Sequence, residues 1–285
     1  MAVSAVPMID VRRADLHMHT CHSDGQLSPA ELVMKAHDYG LRAIAITDHD
    51  CVDGLGEGAQ AGRQYGIEVI AGVELSVSVG HARVHLLGYF FDPEHPGLSD
   101  HLAALKDLRR RRMLLIQERL AHLDVPVAID LSADRAYTRP HVAEAMVEAG
   151  HVGSRREAFA QYLGDDKPAY VPEPRLAAVD ALDALHDAGG IGVLAHPGHY
   201  VAAETVSMLL SIGLDGLETI HRSHDDVLTA YYRQLARDMG LVETGGSDFH
   251  RPDADEPLGR WSVPYAWLDT ARSRSEGHKR TPIRW

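Results

Sequence analysis

Cysteine is nearly absent: Cys21 and Cys51 are the only two in 285 residues. That excludes a disulfide framework and a Cys-x-x-Cys zinc site, and it fits a reducing cytoplasm. Each follows a histidine of interest (His19, His49), yet a small buried side chain is the expected role rather than ligation. Long apolar runs are also missing, so no membrane span is expected. Met1 to Val11 lacks the basic start and apolar core of a signal peptide. Positive charge is in short supply: 28 Lys and Arg stand against 41 Asp and Glu, a net −13 with histidine neutral. That argues against a large surface for duplex DNA. A small anionic substrate stays open, because bound cations reverse the local sign.

What the chain has in quantity is histidine, 19 residues, and enough apolar content (45%) for a sizeable core. Its length allows one large domain, or one carrying an insertion. The first chemistry-bearing stretch is Asp15-Leu16-His17-Met18-His19-Thr20, at the end of a short apolar run read as a strand over 9–17. Alternation puts His17 and His19 on one face and Met18 on the other, so the two imidazoles can grip one ion.

The same event, a strand followed by His or an acid, then repeats. Ser28-Pro29-Ala30-Glu31 opens a helix that stops at Gly40. Strand 43–47 ends in Asp48-His49-Asp50, and a helix over 55–65 ends at Gly66. Strand 67–73 ends in Glu74, and a fourth strand, 84–90, carries His85. The alternation pauses over 94–175, read as a mostly helical insertion with a helix over 98–123 and another over 142–148. Arg109-Arg110-Arg111-Arg112 lies inside the first, where four consecutive side chains point all round a helix and most are expected to be solvated. Strands then end in His196-Pro197-Gly198, in His221 and in Ser247-Asp248-Phe249-His250, with helices between them. About seven strands alternating with helices read as a parallel α/β barrel, 1–93 and 176–285, interrupted by the insertion. Trp285 is expected to pack back on it. In such barrels the C-terminal strand ends share one face, where active sites are built.

His17, His19, Asp24, His49, Glu74, His85, His196, Asp248 and His250 would all meet on that face. One ion would leave several of them unused; two or three, with a bridging carboxylate, would use them all. Mixed imidazole and carboxylate donors suit manganese, zinc or iron(II). Clustered ions make hydroxide available at neutral pH and stabilise in-line displacement at phosphorus.

These motifs, with Thr47-Asp48-His49, Gly72-Val73-Glu74 and Ala195-His196-Pro197, resemble the four-motif signature of the PHP (polymerase and histidinol phosphatase) domain. The resemblance implies a distorted (β/α)7 barrel, related to amidohydrolases, with two or three divalent ions, manganese first, zinc or iron as rivals. It implies that His17, His19, Glu74 and Asp248 hold one ion, that Glu74 bridges to a second held by His85 and His196, and that Asp24, His49 and His250 hold a third. Glu74, Asp248 and His196 would be the catalytic residues, with a metal-bridging hydroxide as nucleophile.

Val84 to Tyr89, Thr138-Arg139-Pro140-His141 and Gly216-Leu217-Glu218 followed by His221 and His224 resemble one subgroup, the bacterial 3′,5′-nucleoside bisphosphate phosphatases, also described as 5′-to-3′ exoribonucleases. The usual Pro-Ser-His reads Arg222-Ser223-His224 here. The implied substrate is a small nucleotide or short RNA. Arg139 has the planar fork for a bidentate phosphate clamp, or pairs within the insertion. His141, His221 and His224 would bind a second phosphate or protonate the leaving alkoxide; Lys106 and the arginine run are weaker candidates. Histidinol phosphate is a rival substrate, requiring an anionic group for its amine. A non-catalytic metal-binding regulatory module is the reading of a different class; it requires missing ligands, and none is missing.

Overall fold

A computed structural model describes residues 12–252 and 258–279. Its strands form one sheet that curls into a nearly closed barrel. The elements run β1 (Arg13–Asp15), α1 (Pro29–Asp38), β2 (Ala43–Ile46), α2 (Leu55–Tyr65), β3 (Glu68–Val79) and β4 (Ala82–Tyr89). Then come α3 (Pro96–His122), α4 (Arg139–Glu148), α5 (Arg155–Ala158) and a π-helical turn over Phe159–Leu163. The chain returns with β5 (Leu176–Ala177), α6 (Ala178–Asp187), β6 (Ile191–Leu194), α7 (Ala203–Ser211), β7 (Gly216–His221), α8 (Asp226–Met239), β8 (Val242–Gly246), β9 (Val263–Pro264) and α9 (Trp267–Lys279). The ladder order is β8-β7-β6-β4-β3-β2-β1-β9, with β5 beside β3. At the rim the Leu16 N–H donates to the Gly245 carbonyl at 3.1 Å, and Met18 bridges Phe249 in parallel, so β1 and β8 also meet.

Local chemistry sets these elements. Ser28 and Glu31 cap α1 reciprocally, the Glu31 N–H donating to the Ser28 hydroxyl at 3.2 Å and the Ser28 N–H to the Glu31 carboxylate at 2.8 Å. Such a cap contributes about 1 kcal/mol. Helix α2 ends where Gly66 turns left-handed, as its position predicts. In β2, Ala43 and Ala45 pack inside the barrel with Leu16, Ile70 and Val193, while Ile44 and Ile46 pack outward beneath α1 and α2. Small residues inside and large ones outside follow from period-two alternation, and each buried isoleucine contributes roughly 1.5–3 kcal/mol.

The barrel is not wholly parallel. β3 and β4 are joined by Gly80 and His81 alone, Gly80 at φ +56°, and pair antiparallel from Val79↔Ala82 to Gly72↔Tyr89. Two residues make a hairpin and are too few for a crossover. This corrects two expectations. Glu74 lies inside a twelve-residue strand, not at its end. His85, opposite Ser76, reaches the rim because β4 runs back down from it.

Helix α3 carries a buried stripe from Leu98 to Leu120. Its first part packs on the barrel core, and Met113, Ile116 and Leu120 pack into a separate core with Val142, Met146 and Leu163. At the opposite end of the barrel, His186 and His278 each donate to Asp215, at 2.7 and 3.0 Å, tying α9 to α6 and the start of β7. The expected packing of Trp285 lies outside the described residues. Among them, no helix is long and apolar enough to cross a membrane.

Candidate metal centre

The rim is assembled by short polar ties between loops. Asp15 accepts the N–H groups of His17 and Ser247, at 3.3 and 2.9 Å, joining the first motif to the last. Gly246 lets β8 approach there: a Cβ would stand 2.5 Å from the Cβ and backbone nitrogen of His17. Asp48 accepts from the Thr20 N–H (2.7 Å) and from the Thr20 and Ser23 hydroxyls (both 2.6 Å). Those bonds fold the loop after β1 back over β2 and return Asp24 to the rim. His196 and Asp248, just past β6 and β8, take left-handed φ angles of 25° and 51°. Non-glycine residues hold such angles at a cost, and they concentrate at functional sites.

Glu74 stands at the middle. Its Oε2 is 3.2 Å from His17 Nε2, His19 Nε2 and His49 Nδ1. Its Oε1 is 2.7 Å from His85 Nδ1 and 2.9 Å from His196 Nε2. Asp248 Oδ1 lies 3.2 Å from His19 Nε2 and 3.5 Å from both His17 Nε2 and His250 Nδ1. Asp24 Oδ1 lies 3.2 Å from His250 Nε2 and 3.8 Å from His49 Nε2. All nine residues singled out in the sequence thus converge.

Do these donors fit metal ions? His19 Nε2, Asp24 Oδ1, His49 Nδ1 and His85 Nδ1 are buried, with no hydrogen bond of proper geometry although carboxylate oxygens are near. Each such atom costs about 1–3 kcal/mol if left unpaired. Four at one place aim at a shared partner that the protein itself does not supply. Ligand atoms lie within 4.8 Å of one another in four overlapping groups: His17, His19, Glu74 and Asp248; His19, Asp24, His49 and His250; His49, Glu74 and His85; and His17, Glu218 and His221. The set fits divalent metal ions, with Glu74 belonging to two of the groups.

The electrostatics agree. Burial works to lower His19, but the carboxylates of Asp248 and Glu74, each 3.2 Å from its Nε2, outweigh it and carry the pKa up to about 10. His17 is also raised: burial opposes it, and Glu218, Glu74 and Asp248 prevail. Burial drives His49 down to about 3. Glu74 resists a strong burial effect because His49, His85 and His17 hold it well below the carboxylate range. Without ions, ionised carboxylates are therefore balanced by protonated imidazoles.

Two further residues support this cluster, Glu218, given no site role in the sequence, and Arg109, a weaker substrate candidate there. Glu218, fully buried, accepts from His17 Nδ1 at 3.0 Å and from the His196 N–H at 2.7 Å. A carboxylate behind a ligand imidazole fixes its tautomer and orientation. Arg109, fully buried, donates through Nε and NH2 to Asp50 (2.8 and 2.5 Å) and through NH2 to Ser76 (2.9 Å). Its NH1 donates to Glu173 at 3.1 Å. Arg109 and Arg112 are buried and Arg110 and Arg111 exposed, which corrects the expectation that most of the run is solvated. Residues three apart share a helix face.

The expected substrate residues divide. Arg139 donates to the Leu163 carbonyl and to Asp165, both at 3.0 Å, so it does pair within the insertion. It also lines a cavity of about 280 Å³ with Arg83, Tyr170 and Arg175, open to His85 and His196. His141 Nδ1 accepts from the Thr138 N–H at 3.0 Å, and its Nε2 faces Arg135; burial and that guanidinium lower it to about 4. It stands behind Asp24, to which the Thr138 hydroxyl donates at 3.1 Å. His224 accepts from the Gly198 N–H and donates to the Thr219 carbonyl, both at 3.1 Å, so both nitrogens are engaged. His221 Nε2 is buried without a hydrogen bond, 3.6 Å from Asp248 Oδ2. Arg222 donates to the same Oδ2 at 3.0 Å. Lys106 pairs with Asp53 and Asp134.

Comparison with known proteins bears on this centre. The PHP domain matches residues 15–160. A 5′-3′ exoribonuclease of Haemophilus influenzae is 35% identical over 257 residues, covering 87% of this chain and 94% of that protein. A 3′,5′-nucleoside bisphosphate phosphatase of Chromobacterium violaceum is 34% identical over 248 residues, covering 84% and 87%. The crystal structure of a Bifidobacterium adolescentis protein assigned as a metal-dependent phosphoesterase superposes with a TM-score of 0.86 at 30% identity, covering 93% of this chain and 96% of that one.

Proposed function

Because this chain belongs to the PHP domain family, and is a phosphoric ester hydrolase by that kinship, we propose that it removes the 3′-phosphate from nucleoside 3′,5′-bisphosphates. The observation that carries this reading is the arginine-lined cavity against one end of the metal-binding cluster. A bisphosphate needs two sites: a reaction centre for one phosphoryl group and a cationic seat for the other.

When bound, two or three divalent ions, manganese first, acidify a water and neutralise charge on the phosphoryl group. His17, His19, Glu74 and Asp248 would hold one ion, and Glu74 with His85 and His196 a second. Asp24, His49 and His250 would hold a third. Glu74, Asp248 and His196 are thereby the residues against the reacting phosphoryl. Arg139, with Arg83 and Arg175, seats the 5′-phosphate and exchanges its partner Asp165 for it. The leaving 3′-oxygen takes its proton from His221, whose buried Nε2 makes no hydrogen bond among the described residues and lies 3.6 Å from Asp248 Oδ2. His141 and His224, their nitrogens committed to backbone and side-chain bonds, keep the Asp24 loop and the His196 turn in place. Residues 94–175 act as the substrate clamp on a barrel built from 1–93 and 176–285. The free cysteines Cys21 and Cys51 suit a reducing cytoplasm.

Histidinol phosphate is disfavoured by the same cavity. Its carboxylates, Asp165 and Glu173, are already paired with arginines, so nothing there awaits an amine. The test is phosphate release with Mn²⁺ from adenosine 3′,5′-bisphosphate, AMP and histidinol phosphate in parallel. Selective release from the bisphosphate is expected. Equal release from AMP would remove the two-seat reading, and silence on all three with metal bound would return the chain to a regulatory role.

A further inference from the structure

The metal-binding cluster has a second opening. Beside the end formed by Asp24, Asp248 and His250 lies another cavity of about 280 Å³, lined also by Arg155, Arg222, Arg251, Pro140 and Phe249. It shares no lining residue with the cavity at His85 and His196, so the two border the cluster at different residues. Its walls come from both parts of the chain. Arg155 opens α5 of the insertion, whereas Arg222 and Arg251 follow β7 and β8 of the barrel. Glu144 of α4 lies 3.5 Å from Arg155 and 3.9 Å from Arg251, and holds the two guanidiniums at one wall. Arg222 hangs over the cluster itself, its NH2 donating to Asp248 Oδ2 at 3.0 Å. It stands where the subgroup's usual pattern has proline.

Resting on the phosphatase reading, we propose that this cavity is a downstream-nucleotide subsite, and that Arg155, Arg222 and Arg251 bind the next phosphodiester of a short 5′-phosphorylated RNA. The chemistry requires no new machinery. In a bisphosphate, water attacks the 3′-phosphorus, the P–O3′ bond breaks, and O3′ departs with the electron pair and takes a proton. In an RNA the same bond of the first nucleotide breaks with the same leaving group. The phosphoryl then remains as the 5′-phosphate of the second nucleotide instead of leaving as inorganic phosphate. The only added demand is room and charge for that second nucleotide, apart from the seat of the first. The second cavity supplies both, with an apolar patch (Pro140, Phe249) for a base face and three guanidiniums for the phosphate that follows. Asp24 and Asp248 at its inner edge are cluster carboxylates whose charge bound ions offset.

The test compares adenosine 3′,5′-bisphosphate with 5′-phosphorylated di- and trinucleotides, using the metal-loaded full chain. For the unaltered protein kcat/KM is expected to step up from dinucleotide to trinucleotide, which is the first to carry a phosphodiester onto the arginines, and that step should shrink with added salt. Arg251→Gln and Arg222→Gln, the latter keeping a donor for Asp248, should lower kcat/KM for the trinucleotide about tenfold more than for the bisphosphate. Arg155→Gln is a third independent variant. An equal loss on both substrates, or no step with length, would overturn the subsite. Turnover of the bisphosphate with none of RNA would also overturn it while leaving the phosphatase reading intact. Silence on every substrate would sink that reading, and the subsite with it.

Discussion

Behind His17 stands Glu218, which holds two members of the cluster, through His17 Nδ1 and the His196 N–H. Glu218→Gln keeps the size and the acceptor oxygen but removes the charge that favours a neutral, Nδ1-protonated ligand. Metal affinity or turnover should fall about 10- to 100-fold. Manganese titration of the purified variant reads this; unchanged affinity and turnover would deny Glu218 an orienting role. A second outcome follows from charge. Without ions His19 is raised to about 10, chiefly against burial by Asp248 and Glu74, so it carries a proton at neutral pH. A ligand imidazole must lose that proton, so binding releases protons and apparent metal affinity rises with pH. Calorimetry in buffers of different ionisation enthalpy measures the release; none at pH 7 would contradict the assignment. At this scale the sequence was informative where residue type and strand-end position coincide, as for His17, Asp24 and Asp248. Glu218 was visible as a motif letter, but its role depends on a contact across the barrel. Arg109 was hidden because a run of four arginines reads as solvent-facing.

Among the elements, α3 explains that arginine. Its buried stripe passes from the barrel core, through Leu98 and Leu102, to the insertion's own core at Met113, Ile116 and Leu120. Arg109 and Arg112 occupy the stripe at the junction, where Asp50 and Glu173 supply buried charge. Asp50 follows His49 directly, and its N–H donates to the Glu74 carbonyl at 2.9 Å. The helix is thus bonded to the turn that carries His49. Removing one partner of a buried pair leaves the other charge uncompensated. Arg109→Met should therefore destabilise the protein by about 3–5 kcal/mol, and Arg109→Met with Asp50→Asn by less. Urea unfolding of the two variants decides it; a loss under about 1 kcal/mol in the single variant would show the network to be dispensable. The helices were legible from their caps and stops. The antiparallel β4 was not, since alternation of strands and helices says nothing of direction where only Gly80 and His81 intervene.

Over the whole molecule, the barrel brings six histidines and three carboxylates from six loops and strands to one rim, and the insertion completes both cavities beside them. The net charge of −13 is no obstacle to a polyanionic substrate there, because three arginines line each of the two openings and bound ions add positive charge between them. The barrel class could be read from spacing and family likeness, and the nine residues picked out by the same signals do meet at the rim. The strand β9 and the Asp215 tie to α9 could not, being a two-residue strand and a contact between three distant segments. The measurement closest to the central claim is phosphate release from adenosine 3′,5′-bisphosphate before chelation, after chelation with metal content verified as nil, and after Mn²⁺ is restored. Release that vanishes with the metal and returns with it, but does not return in Asp248→Ala, is the expected result. Undiminished release from the stripped protein, or full activity in Asp248→Ala, would contradict the centre described above.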